Sequence, residues 1–294
     1  MRTPGGVWAG PITPMNADLT IDFSGLRSLT EFLIDGGVDG LIPAAFTAEV
    51  ESLDIGEHKR LLETVVESAG GRVPIYGGVS RPSIVETREM VAYAPEVGLD
   101  GIFVIPPFCN AYTLPEMVAF VKDVAGRSSL PVMLYNCPNY TKVNFPPEVQ
   151  SALAEIENIA SSKEGNQEQL HGTVLAAGDG MAVFTARDSH LVASLAVGAD
   201  GVTSFVANIA PRLIVDLFAA ATAGDTAVVH ELHARVSMLV DALVKRSYPL
   251  LLKEAMTILG LPSGPARRIE GGATQAERAE LTAALRQALP VEAT

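Results

Sequence analysis

An α/β chain folded as a (β/α)8 TIM barrel with a C-terminal helical extension is predicted by two observations. Short apolar runs alternate with amphipathic helical patterns eight times, and the joint between helix and strand repeats almost verbatim. The repeated phrase is GVDGLI at Gly37 to Ile42, GLDGIF at Gly98 to Phe103 and GADGVT at Gly198 to Thr203. In each, a glycine ends a helix in a left-handed cap, an Asp-Gly turn redirects the chain, and a buried strand begins.

Strands are expected at 7–12, 38–44, 73–79, 100–105, 131–136, 158–163, 181–186 and 200–205. Helical patterns fill the intervals, among them FSGLRSLTEFLID, HKRLLETVVESAG, PSIVETREMVAYAPEVG, LPEMVAFVKDVAG and PEVQSALAEIE. Continuous apolar strands in strict alternation with helices indicate a parallel sheet, and eight of them suit a closed barrel better than the competing doubly wound open sheet. After about residue 224 the strand signal stops, and AGDTAVVHELHARVSMLVDALVKR, YPLLLKEAMTILG and TQAERAELTAALRQAL read as three helices. The expected division is a barrel over 1–224 and a three-helix extension over 225–294 packed on it, with no low-complexity linker between them.

Hydrophobic residues make up 48% of the 294 positions and charged residues 19%, enough for a substantial core. Lys and Arg number 21 against 34 Asp and Glu, a net charge of −13, and no basic run appears, which speaks against a nucleic-acid or anionic-membrane partner. The N-terminal MRTPGGVWAGPITP lacks the apolar core of a signal peptide, and no apolar stretch approaches a membrane span; the expectation is a soluble cytoplasmic protein. Cys109 and Cys137 read as reduced thiols. YGGVS at Tyr76 to Ser80 lacks the spacing of a dinucleotide fingerprint, so no cofactor is implied.

In parallel barrels functional residues sit at the C-terminal ends of strands and in the loops that follow. Those positions hold Ala45, Phe46, Thr47 and Glu49, then Pro106 to Asn110, Tyr135 and Asn136, Lys163, and Thr203 and Ser204; Lys163 is the one lysine among them. The small Ala160, Ser161 and Ser162 leave room around it. An apolar enclosure disfavours the ammonium form and frees the amine to attack a carbonyl. Tyr135, one strand earlier, would project into the same mouth and could shuttle a proton. The competing readings are a surface lysine paired with Glu164 and a core tyrosine.

The segments GPITP, AAFTAE, LYNCPNYT, SSKEGN, GADGVTS and LLKEAMTILG occur in the order and approximate spacing of the dihydrodipicolinate synthase and N-acetylneuraminate lyase family, which the chain resembles over nearly its whole length. The resemblance implies a lysine imine with pyruvate or another 2-oxo acid, formed on Lys163 and assisted by Tyr135. It implies that Thr47 helps to hold the substrate carboxylate, that Ala45 and Thr203 lie in the binding site, and that the protein is a homodimer or homotetramer.

Three departures stand out. Phe46 occupies the position of a hydroxyl residue that joins the family's proton relay, and phenylalanine can neither donate nor accept that proton. Phe108 and Cys109 stand where the family often has two adjacent tyrosines, one of which reaches into the neighbouring subunit's site; Tyr112 lies close by, as a substitute or as a loop tyrosine capping the barrel. Tyr140 replaces the arginine that synthase members use for the carboxylate of the incoming aldehyde, and a tyrosine offers no bidentate fork.

These changes lead to the expectation of a lyase or aldolase on a 2-oxo acid with an apolar or aromatic distal part, rather than a 4-hydroxy-tetrahydrodipicolinate synthase. The alternatives are a 4-hydroxy-tetrahydrodipicolinate synthase or a 2-oxo-3-deoxy sugar acid dehydratase, and a non-catalytic 2-oxo-acid-binding relative. A metal enzyme on the same barrel would need converging ligands. His58, His171, His190, His230 and His233 fall in helices or loops, so no metal site is expected.

Overall fold

The computed structural model describes residues 3–268 and 271–289; the parts of the expected extension at 269–270 and 290–294, and residues 1–2 of the expected barrel, lie outside them. Eight strands alternate with helices: β1 (Gly6–Ala9), β2 (Gly40–Leu41), β3 (Tyr76–Gly78), β4 (Gly101–Val104), β5 (Val132–Asn136), β6 (Ile159–Glu164), β7 (Ala182–Thr185) and β8 (Gly201–Ser204). All paired neighbours are parallel, in the order β2-β1-β8-β7-β6-β5-β4-β3. A parallel bridge between Leu41 and Ile75 joins the two ends, which makes the sheet a barrel.

The repeated joint has a physical explanation in three parts. Gly37, Gly98 and Gly198 take φ of +88°, +86° and +94°, the left-handed region in which a side chain would be strained. Each following aspartate then accepts a backbone N–H at or next to a neighbouring strand: Asp39 from Val7 at 2.7 Å, Asp100 from Ile75 at 2.9 Å, Asp200 from Val183 at 2.8 Å. The second glycine makes room for an aromatic ring, because Trp8 lies in register with Gly40, Tyr76 with Gly101 and Phe184 with Gly201. A Cβ at those glycines would sit 2.5, 2.6 and 2.8 Å from the ring atoms. The Trp8 ring meets Tyr76 and Phe184 edge-on at centroid distances of 4.9 and 6.1 Å, so three aromatic rings fill the barrel interior.

The strand after Gly37 is shorter than the expected 38–44. Pro43 and Ala44, whose φ is +57°, carry the chain out of the sheet after Leu41 and into a tight turn over Phe46–Ala48. That turn projects Phe46 and Thr47 over the barrel mouth. At the other end of the chain, helices Thr226–Leu243, Leu250–Ile258 and Gln275–Ala288 follow the last barrel helix, Pro211–Ala223. No helix among the described residues is long and apolar enough to cross a membrane.

A buried ion pair ties this helical segment to the turn after β2. Lys253 Nζ lies 2.6 Å from Glu49 Oε1, and both side chains are almost fully withdrawn from water. Lys253 also donates to the Pro265 carbonyl at 2.9 Å, and the Arg268 backbone N–H donates to Glu49 Oε2 at 2.7 Å. Removing one partner of such a pair strands a charge in a low-dielectric interior. Lys253→Met should lower the unfolding free energy by about 3–5 kcal/mol in urea titrations, and adding Glu49→Gln should restore more than half of the loss. A double variant no more stable than the single one would refute the coupling.

Candidate active site

Lys163 is the penultimate residue of β6, and alternation along the strand sends it and Glu164 to opposite sides. Glu164 does not pair with Lys163. Its carboxylate is buried behind the strand and accepts from Asn136 at 2.8 Å, Gln150 at 2.7 Å, Gln169 and Thr173 at 3.0 Å, and the Asn166 backbone N–H at 2.7 Å. Burial pushes this carboxyl upward from its ordinary value while those donors pull it back. The polar cluster thus fixes the end of β6 from outside and leaves the lysine to face inward.

Facing inward, Lys163 opens into a cavity of about 360 Å³. It lies in register with Tyr135 on one side and Phe184 on the other. Its Nζ is 4.4 Å from the centre of the Tyr135 ring and 5.5 Å from that of Phe103. Desolvation lowers its pKa to about 8, against smaller upward pulls from Cys137 and Asp188. Asp188 is itself buried, accepts from the Ser204 hydroxyl, and is raised to about 6 by that burial. Burial likewise raises the Tyr135 phenol well above its usual value, which keeps it a proton donor at neutral pH.

Of the residues singled out in the sequence, Ala45, Phe46, Thr47, Tyr135, Tyr140, Lys163 and Thr203 line this one cavity. Phe108 stands behind Phe46, ring centres 5.1 Å apart, and forms part of the wall's support, not its surface. Cys109 corrects the expectation: it is exposed, outside the cavity, because the loop after β4 turns toward solvent. Tyr112 is also absent from the lining that this chain forms.

The expected apolar outer pocket is half right. Phe46 stacks on Tyr140 at 4.5 Å between ring centres, an aromatic wall. Arg187 and Arg246, however, also line the cavity. Arg246 is engaged by Glu277 at 2.8 Å. Arg187 is exposed at the rim, where its charge acts on both Tyr135 and Tyr140. Sequence reasoning also missed Tyr248, which lines the cavity from the helical segment and hydrogen-bonds Thr47 at 3.0 Å. Arg187 directly follows the expected seventh strand and was open to the strand-end rule; Tyr248 has no local signal.

The Dihydrodipicolinate synthetase family model matches residues 3–288. The chain belongs to this family. Among curated relatives, a 4-hydroxy-tetrahydrodipicolinate synthase of Methanococcus maripaludis is 33% identical over 263 residues, covering 89% of this chain and 91% of that protein. The enzyme of the same name from Magnetococcus marinus is 33% identical over 282 residues, 95% of this chain and 96% of that one. Among solved structures, a dihydrodipicolinate synthase of Bacillus anthracis superposes with a TM-score of 0.94 at 27% identity, covering 99% of this chain and all (100%) of that one. The Acinetobacter baumannii synthase, solved with pyruvate, gives a TM-score of 0.93 at 28% identity over 98% of this chain and 100% of that one. The chain is accordingly a lyase of the class I aldolase type, a class that works through a lysine imine.

Among the described residues no three His, Cys, Asp or Glu side chains are grouped to hold a metal ion. The buried amine carries a measurable consequence for stability. Its folded-state pKa of about 8 lies below the ordinary 10.5, so at pH 7 the proton is present in both states and the folded one bears the desolvation. That cost is on the order of 3 kcal/mol and fades as pH rises from 8 toward 10.5. Lys163→Met keeps the aliphatic stem and removes the charge. It should raise the unfolding free energy at pH 7 by about 1–3 kcal/mol, and a destabilised variant would contradict this account of the lysine.

Proposed function

We propose that Lys163 forms an imine with pyruvate or another 2-oxo acid and uses it to make or break a carbon–carbon bond. The observation that carries this is an amine lowered to about 8 in a cavity it shares with the Tyr135 ring, 4.4 Å away. The neutral amine attacks the carbonyl carbon, and the carbinolamine loses water as Tyr135 donates a proton to the departing hydroxyl. The protonated imine then withdraws electrons from the adjacent C–H bond. Tyr135, now a tyrosinate, takes that proton and leaves an enamine; the enamine carbon adds to an aldehyde as Tyr135 returns the proton to the aldehyde oxygen, and hydrolysis of the imine frees the lysine, while cleavage runs the same steps in reverse. Thr47 donates to the carboxylate of the 2-oxo acid, while Ala45 and Thr203 shape its berth.

The names of the curated relatives support 4-hydroxy-tetrahydrodipicolinate synthesis as the reaction to test first, against the sequence-based expectation of a different lyase. The objection from Tyr140 loses force beside Arg187, a rim guanidinium acting on the same two tyrosines. It could take the carboxylate of an aldehyde partner in a bidentate grip. The second reading, an aldehyde or 2-oxo acid with an aromatic end, is favoured by the Phe46–Tyr140 stack. We further propose assembly as a homodimer or homotetramer.

Incubation with pyruvate, borohydride reduction and peptide mapping test the first step, with Lys163→Ala as control. A reduced pyruvyl mass on Lys163 is expected, with an initial trapping rate that rises with pH through a midpoint near 8; no adduct with any 2-oxo acid refutes the proposal. Arg187→Gln separates the two partner readings. It should raise the KM for a carboxylate-bearing aldehyde about 10-fold or more, as loss of a charge-assisted hydrogen bond implies, and leave an aromatic aldehyde unaffected. An unchanged KM for both removes Arg187 from substrate binding.

A further inference from the structure

Phe46 leaves the barrel mouth one hydroxyl short, and the helical segment supplies another. Tyr248 lies between helices Thr226–Leu243 and Leu250–Ile258 and reaches across the cavity to Thr47, 201 positions earlier, with 3.0 Å between Tyr248 Oη and Thr47 Oγ1. The ring is held by Phe205, edge-on at 5.6 Å, and the backbone carbonyl of Tyr248 accepts from Arg268 Nη1 at 2.5 Å. The same guanidinium donates through Nη2 to the Phe46 carbonyl at 3.0 Å. Arg268 therefore fixes both sides of the Tyr248–Thr47 contact.

The direction of this hydrogen bond follows from chemistry. Burial raises the Tyr248 phenol far above its ordinary value, so the group keeps its proton. A phenol is the stronger acid of the two hydroxyls and the better donor. Each hydroxyl carries one proton and two lone pairs. With a lone pair of Thr47 engaged by Tyr248, the Thr47 proton is free for a partner in the cavity. Thr47 has little freedom to turn away, because it is β-branched and buried.

We propose that Tyr248 is a positioning residue: its hydroxyl orients that of Thr47 so that the Thr47 proton points at the carboxylate of the bound 2-oxo acid. This rests on the imine reading above. Tyr248 forms no bond to the substrate and moves no proton in the chemical step. It acts on affinity for the 2-oxo acid, and leaves the reactivity of the lysine alone.

Tyr248→Phe keeps the ring against Phe205 and removes only the hydroxyl. The wild type, Tyr248→Phe, Thr47→Val and the double variant are titrated with pyruvate and trapped with borohydride at each concentration, with thermal unfolding of each recorded. The pyruvate concentration for half-maximal labelling should rise about 10-fold in Tyr248→Phe, with plateau labelling, its pH midpoint and Tm unchanged. Thr47→Val should equal or exceed that rise, and the double variant should be no worse than Thr47→Val. In a Thr47→Ser background, Tyr248→Phe should still cost about 10-fold. An unchanged half-saturation in Tyr248→Phe overturns the proposal, as do effects that multiply in the double variant, or a loss of plateau labelling together with Tm. Those results leave the imine reading standing, whereas absence of any adduct in the wild type overturns both.

Discussion

The pairing of a large ring with a glycine on the neighbouring strand sets the register on which the rest of the barrel depends. Trp8, Tyr76 and Phe184 each occupy the notch left by Gly40, Gly101 or Gly201. A slip of one residue would turn the ring out of the barrel and place a side chain where only hydrogen fits. Phe184 is in turn the register partner of Lys163, which is the partner of Tyr135. The geometry around the amine is thus inherited from packing beneath it, and the aspartates that accept from Val7, Ile75 and Val183 hold the joints while the rings interlock.

Above that packed floor, the mouth is assembled from pieces far apart in sequence. The Glu49–Lys253 pair is costly to bury, and its value lies in placement: it holds the helical segment against the turn bearing Phe46 and Thr47. The resulting cavity is lined by the stacked Phe46 and Tyr140 and, at its rim, by the guanidinium of Arg187.

Much of this was legible in the sequence for local reasons. The Gly-x-Asp-Gly phrase encodes a cap, a carboxylate acceptor and a notch within four residues, so its three copies reveal the αβ rhythm. Lys163 and Tyr135 stand out because a strand end is a local position and an otherwise apolar strand ending in lysine is a local anomaly. The rest depends on distance or on chain direction in space. Cys109 looked like a site residue because it follows a strand, but the loop carries it outward. The outer pocket was read from Phe46 and Tyr140 alone, whose stack is present, while Arg187 at the rim went unweighed. Tyr248 sits in a stretch with a helical pattern, and nothing near it in sequence connects it with Thr47.

That last separation has a consequence for what the barrel is without its tail. Lys163 and Tyr135 stand on strands, but Val240, Val244, Arg246 and Tyr248 line the same cavity from the helical segment. The eight strands alone therefore carry the amine without its full enclosure, and the segment after residue 224 is as much a wall of the cavity as the strands are.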